Sequence, residues 1–213
     1  ILPSALEFMD KNSIQAVQKF YPAGIPEDAE GVLLIEVDGT KQSVEEQIKQ
    51  ISDILSSMGA KVIPAKDKAH EQQLWTTRKN IGPALANIQS GKINEDIVFP
   101  RTYLSEGLTK INEIAKKYNL VVVNFGHIGD GNLHVNILYD KLNKEELERA
   151  EKAVDEVFEL ALSYNGSITG EHGVGITKKK FLEWQFKGVG IELLKAIKQS
   201  FDPKNLFNPG KIV

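Results

Sequence analysis

The stretch Asn124-Phe-Gly-His-Ile-Gly-Asp-Gly-Asn-Leu-His-Val-Asn136 follows the β-branched run Val121-Val122-Val123 and leads into Val135-Asn136-Ile137-Leu138-Tyr139. Two extended segments therefore flank Gly129-Asp130-Gly131-Asn132, and Asp-Gly between apolar runs is the strongest short-range hairpin signal. A two-residue type I′ turn at Asp130-Gly131 predicts that His127 lies directly opposite His134. Such partners hold their Cβ atoms about 4.5–5.5 Å apart on one sheet face, close enough for two imidazoles to share an ion. Period-two alternation adds Phe125 and Asn136 to that face. The same residues would also suit two unrelated surface histidines, so the hairpin alone leaves both readings open.

Working outward, extended runs are expected at residues 4–9, 32–37, 60–63 and 96–99, the last two stopped by Pro64 and Pro100. Helices are expected at 12–20, 43–57, 69–88 with a break at Pro83, 105–118, 144–164, 177–186 and 191–201. Val44, Ile48, Ile51 and Leu55 recur at three- and four-residue steps, as do Leu147, Ala150, Val154, Val157, Phe158 and Ala161, the mark of amphipathic helices. Residues 21–30 read as a loop with an acidic end, 166–175 as a glycine-rich loop and 202–211 as a turn-rich tail. The order in each half is close to β-α-β…β-α-β. It predicts an α+β fold: an antiparallel sheet with helices on one face, two fused ferredoxin-like halves, and C-terminal helices. No glycine-rich fingerprint follows an early strand, which argues against a parallel doubly wound sheet. Residues 1–213 are expected to form one domain, since no long linker interrupts them.

A net charge of −3 offers no polybasic surface, which argues against nucleic acid as a partner. The absence of cysteine excludes disulfides, iron–sulfur clusters and thiol catalysis within this chain. No apolar run reaches the ~18–20 residues of a membrane span and no signal peptide is visible, so a soluble, cytoplasmic protein is expected. The chain opens on Ile1-Leu2-Pro3 without an initiator methionine and is expected to be a fragment of something longer.

Of the four histidines, His127 and His134 stand in the hairpin and His172 in Thr169-Gly-Glu-His-Gly-Val-Gly175. A glycine-rich loop lets the backbone approach a ligand closely. His127, His134 and Glu171 would form a His₂-carboxylate set with open coordination positions, and the ion could be zinc, manganese or iron. His172, beside a ligand but aimed elsewhere, could act as general base. Leu74-Trp-Thr-Thr-Arg-Lys79 places Arg78 early in a helix, where a guanidinium could clamp a carboxylate; a surface arginine beside a core Trp75 is the plainer reading. Lys178-Lys-Lys180 reads as a solvated helix start, and His70 as a surface residue.

His-Ile-Gly-Asp-Gly-Asn-Leu-His and Gly-Glu-His-Gly-Val-Gly, in this order, resemble the C-terminal cap domain of FAD-linked oxidases of the vanillyl-alcohol oxidase type. That group includes the glycolate oxidase flavoprotein subunit, D-lactate dehydrogenase and D-2-hydroxyglutarate dehydrogenase. The likeness runs from Pro3-Ser-Ala-Leu-Glu-Phe-Met-Asp10 through Glu36-Val-Asp-Gly39, Trp75 with Arg78, and 96–100, to Asn208-Pro-Gly-Lys211. It implies a divalent ion on His127, His134 and Glu171, a base at His172, substrate contacts at Arg78 and Asn136, and flavin-facing Asn208 and Lys211. It also implies an FAD-binding domain elsewhere in the parent chain, a small 2-hydroxy acid as substrate, and electron-transfer subunits as partners that could hold the enzyme at a membrane surface. The 2-hydroxyglutarate enzymes carry a lysine where this chain has Asn94, which favours glycolate or D-lactate. The competing classes are a free-standing metal-binding or subunit-interaction module and a metal-dependent hydrolase.

Overall fold

The computed structural model describes every residue except Glu27, so that position of the acidic 27–30 loop lies outside the described residues. The elements are β1 (Ala5–Asp10), α1 (Lys11–Gln18), β2 (Gly31–Glu36), α2 (Lys41–Ser57), α3 (Lys68–Lys79), α4 (Ile81–Ala84), β3 (Gly91–Val98), α5 (Leu104–Lys117), β4 (Val121–His127), β5 (Asn132–Tyr139), α6 (Lys144–Ser163), α7 (Lys179–Gln185) and α8 (Val189–Phe201). The fold is mixed α+β and its described strand pairs are antiparallel, as the patterning predicts. The chain forms two units, Ile1–Ser90 with Val123–Gly129, and Gly91–Val122 with Asp130–Val213. The division is not that of the sequence halves, because most of β4 is grouped with the N-terminal segment.

In the first unit β1 pairs with β2 on one side and with β4 on the other, Glu7 opposite His127 and Met9 opposite Phe125. Asp10 ends β1 and caps α1, accepting from the Ser13 N–H at 2.7 Å. The same carboxylate accepts from the Asn124 backbone N–H at 2.7 Å and its amide at 3.1 Å, fastening β4 to the strand end. Burial pushes the Asp10 carboxyl above its ordinary value against the pull of these donors. Ile14 and Val17, three apart on α1, are buried with Met9, Ile81 and Leu85 to form the local core. The helix expected over 69–88 is broken at Asn80, three residues before Pro83: α3 stops at Lys79, whose carbonyl finds no N–H on Pro83, and a short α4 that contains Pro83 follows. The strand expected at 60–63 does not form. Its apolar run is four residues long, Pro64 has no N–H to donate, and no described strand lies alongside to complete a ladder.

In the second unit β3 and β5 pair from Gly91 opposite Tyr139 to Val98 opposite Asn132. Directly opposed residues share a face. One face therefore carries Ile97, Leu133, Val135 and Ile137, and the other carries Asn94, Asp96, His134 and Asn136. α6 packs on both strands through Ala150, Ala153, Val154, Val157, Phe158 and Ala161. Among the described residues no helix is long and apolar enough to cross a membrane.

The connection between β4 and β5 corrects the expected turn. It covers Ile128 to Gly131, four residues rather than two. A type I′ turn needs positive φ at both central residues, and here Gly131 has φ +84° while Asp130 is not in the left-handed region. The two-residue turn that predicts direct opposition of His127 and His134 is therefore not the one formed. Gly131 is required for a second reason, because a Cβ there would lie 2.0 Å from the Phe99 carbonyl oxygen. Gly131→Ala is expected to lower stability by more than about 1 kcal/mol, read as a drop in thermal midpoint. Gly82→Ala, in open space on α4, is the matched control and should leave the midpoint unchanged or raised.

Candidate active site

Within the first unit the candidate residues meet on Glu7. Its side chain lies on the same face of β1 and β4 as His127, directly across one rung. Glu7 Oε2 accepts from Arg78 Nε at 2.9 Å and lies 2.6 Å from Arg78 Nη2, with both side chains buried. Glu7 Oε1 lies 2.6 Å from His127 Nδ1. A carboxylate held by a guanidinium accepts, so Nδ1 carries the ring proton and Nε2 presents its lone pair, the form a metal ligand needs. The Arg78 guanidinium also stacks on the Phe125 ring, 4.8 Å from its centroid. Arg78 sits in the last turn of α3, not early in a helix, and it is buried rather than exposed. Trp75 is half-buried and donates to Glu36 at 2.6 Å, so it is a hydrogen-bonded rim residue and not a core one.

Within the second unit His134, Glu171 and His172 come together. His134 is buried, its Nε2 lies 3.1 Å from Glu171 Oε1, and its ring stacks on His172 with centroids 5.4 Å apart. Two ligand atoms at about 2.0–2.1 Å from a tetrahedral ion stand about 3.3 Å apart, so this nitrogen–oxygen separation fits a shared ion. Asn136 is fully buried; its amide donates to the His134 carbonyl at 3.2 Å and its Oδ1 accepts from Asn94 at 2.8 Å.

The loop carrying Glu171 and His172 is wrapped around Asp96, which is opposite His134 on β3. Asp96 Oδ2 accepts from the backbone N–H groups of Gly170, Glu171 and His172 at 2.9, 2.6 and 2.8 Å. The Thr169 hydroxyl adds contacts at 3.2 and 3.3 Å. Lys178 Nζ donates to Asp96 Oδ1 and, at 2.9 Å, to the Ile168 carbonyl. It also lies 3.3 Å from Glu95 Oε2. Burial alone would raise the Asp96 carboxyl, but the His172 N–H, the Lys178 ammonium and the Glu171 N–H outweigh it and bring it down to about 2. Burial pushes Glu95 up, against the nearby Lys178. A side chain at position 170 would force the buried Asn132 side chain to shift, since its Cβ would lie 2.4 Å from Asn132 Nδ2. Lys178, expected on a solvated face, is buried, because its three donors are drawn into this acidic cluster.

The C-terminal candidates are exposed and joined to each other, Lys211 Nζ donating to Asn208 Oδ1 at 3.1 Å. The Ile212 N–H reaches the Gly175 carbonyl at 2.9 Å, which ties the tail to the glycine-rich loop. Sequence reasoning missed Glu7, Asp96 and the buried role of Lys178. A signal existed for Glu95-Asp96, two acids inside a strand that ends Ile97-Val98-Phe99, and for Glu7 between Leu6 and Phe8. Nothing in the Lys178-Lys-Lys180 run distinguishes its first member.

The family described as FAD linked oxidases, C-terminal domain, matches residues 1–212. The chain belongs to that family. It is 40% identical over its whole length to the glycolate oxidase subunit GlcD of Bacillus subtilis, of which it covers 45%. It is 31% identical to a D-lactate dehydrogenase of Anaerostipes hadrus and 32% identical to a D-2-hydroxyglutarate dehydrogenase of Stutzerimonas stutzeri, covering 46% and 49% of them. The chain thus spans about half the length of these relatives. Among solved structures, p-cresol methylhydroxylase with substrate bound aligns with a TM-score of 0.75 over 98% of this chain and 46% of that one, at 17% identity. That likeness concerns the fold of this FAD-linked oxidase C-terminal domain.

Two outcomes follow from the carboxylates. Glu7→Ala leaves the Arg78 guanidinium buried without this partner and is expected to cost about 3–5 kcal/mol, measured by denaturant unfolding. Asp96, with its folded value below the ordinary 3.8, contributes stability that is complete above the unfolded value and is lost as pH falls through about 2. The contribution is on the order of 2 kcal/mol. Thermal midpoints between pH 5 and 2 should fall less steeply in Asp96→Asn than in the parent; parallel curves would contradict it.

Proposed function

We propose that this chain is the substrate- and metal-binding part of an FAD-dependent dehydrogenase that oxidises a small 2-hydroxy acid, of the glycolate or D-lactate kind, to the 2-oxo acid. The observation that carries the reading is the approach of His134 to Glu171 beside the stacked His172, in a chain of this family. His127, His134 and Glu171, which offer two imidazole nitrogens and a carboxylate oxygen, would hold a divalent zinc, manganese or iron ion. When bound, the ion supplies Lewis acidity and the flavin, held mainly by the rest of the parent chain, supplies the electron acceptor.

The chain's own residues bind and orient. Arg78, fixed by Glu7 and Phe125, takes the substrate carboxylate and so sets the direction of the reacting C–H bond. His172 accepts the hydroxyl proton at a ring nitrogen; its half-exposed ring lets that proton leave to solvent. Asn136 and Asn94, bonded to each other, carry no charge, so the second carboxylate of a longer diacid finds no cation at this pair. That supports a short substrate. Asn208 and Lys211 are proposed to face the flavin. The enzyme is proposed to be cytoplasmic, or held at a membrane surface by electron-transfer subunits.

Elemental analysis of the full-length parent chain, beside His134→Ala and His172→Ala, tests the reading. The parent should carry about one equivalent of metal, His134→Ala should lose it, and His172→Ala should keep it while flavin reduction falls about 10²–10⁴-fold. A parent that takes up no ion after reconstitution with zinc, manganese and iron would refute the metal site. Unchanged flavin reduction in His172→Ala would remove it from the base role.

A further inference from the structure

We infer that Asp96 and Lys178 are positioning residues that set Glu171 and His172 against His134, so that the metal ligand and the base are placed by one buried ion pair. This inference rests on the function proposed above and adds the means by which its loop is held.

One rung of the β3–β5 ladder puts Asp96 opposite His134. The backbone of β3 thereby fixes where a carboxylate stands relative to the imidazole. Three successive N–H groups, of Gly170, Glu171 and His172, converge on a single oxygen of that carboxylate. Converging N–H groups of this kind form an anion-binding concavity, and here the anion is the protein's own side chain. The Thr169 hydroxyl closes the ring by accepting from the Gly173 N–H at 2.9 Å. The Glu171 and His172 side chains leave this backbone in fixed directions, one 3.1 Å from His134 and the other stacked on its ring.

Lys178 secures both ends of the same loop. It follows the loop in sequence, yet its ammonium donates back to the carbonyl of Ile168, which precedes it, and to Asp96 in between. An ammonium has three donors and no acceptor, and the Asp96 carbonyl, the Asp96 carboxylate and the Ile168 carbonyl engage them, with the Glu95 carboxylate 3.3 Å away as a charge partner. Neither Asp96 nor Lys178 is bonded to the His134 ring; both hold the loop mainly through its backbone, and Asp96 Oδ1 also lies 3.5 Å from His172 Nδ1.

The test uses the full-length holoenzyme with Lys178→Met, Lys178→Arg and Thr169→Val, and Thr169→Val guards against a misfolded Lys178→Met because it removes one rim hydroxyl only. Zinc or manganese affinity is measured by titration against a chelator, and kcat and KM are measured separately. Lys178→Met is expected to weaken metal affinity by about 10- to 100-fold and to lower kcat with KM nearly constant. Lys178→Arg should recover most of both, and Thr169→Val should show a smaller loss in the same direction. Parent-like affinity and kcat in Lys178→Met and Thr169→Val, even with a reduced thermal midpoint, would overturn the positioning role. If His134→Ala also retains its metal, the metal site itself has failed, which separates the two outcomes.

Discussion

Asp96 is a carboxylate removed from solvent, and its burial opposes its own charge. The opposition is overcome by three backbone N–H groups and a buried ammonium, all drawn from residues 170–178. The start of the glycine-rich loop is held by the Ser167–Val98 bridge and the buried Ile168, but at its tip Gly173 and Gly175 adopt positive φ and no Cβ would meet a neighbour there. The loop start is thus ordered by strand pairing and apolar packing, and the residues from 170 onward by an electrostatic centre. The arrangement of Glu171 and His172 depends on it.

The two hairpin histidines are built alike at the level of the strand ladder. Each stands opposite an acidic residue on the neighbouring strand, His127 opposite Glu7 and His134 opposite Asp96. The acids are used differently. Glu7 bonds its histidine and selects the ring tautomer, whereas Asp96 leaves its histidine to Glu171 and organises the loop that delivers it. An imidazole that is to bind an ion needs an orienting partner on its other nitrogen or a fixed neighbour; Glu7 would serve His127 as the former, and the loop of Glu171 and His172 would serve His134 as the latter.

Much of this was legible in the sequence. Helical periodicity located α2 and α6, and His134 with the motif Gly170-Glu-His-Gly173 singled out residues that the second unit brings together. What was not legible depends on long-range pairing. The run at 60–63 has strand composition but no partner, and ladders require two strands. The Asp130-Gly131 dipeptide signals a turn without fixing its length, because Asp130 need not adopt the left-handed backbone that a two-residue turn demands. Lys178 and Lys179 are indistinguishable by local pattern, yet one is buried against Asp96 and the other donates to the Gly210 carbonyl at the surface. Glu7 and Arg78 lie 71 positions apart, and no local rule joins them.

The double use of Glu7 has a thermodynamic consequence. One carboxylate serves both Arg78 and His127, through separate oxygens. If Arg78 takes the substrate anion and His127 the metal ion, as proposed, an anion at the guanidinium would compete with Glu7 and leave more of its charge to the His127 ring. Linkage is reciprocal: a cation held at His127 would draw on Glu7 and leave Arg78 more positive towards its anion. One buried glutamate would then couple the two proposed sites, occupancy of either favouring occupancy of the other.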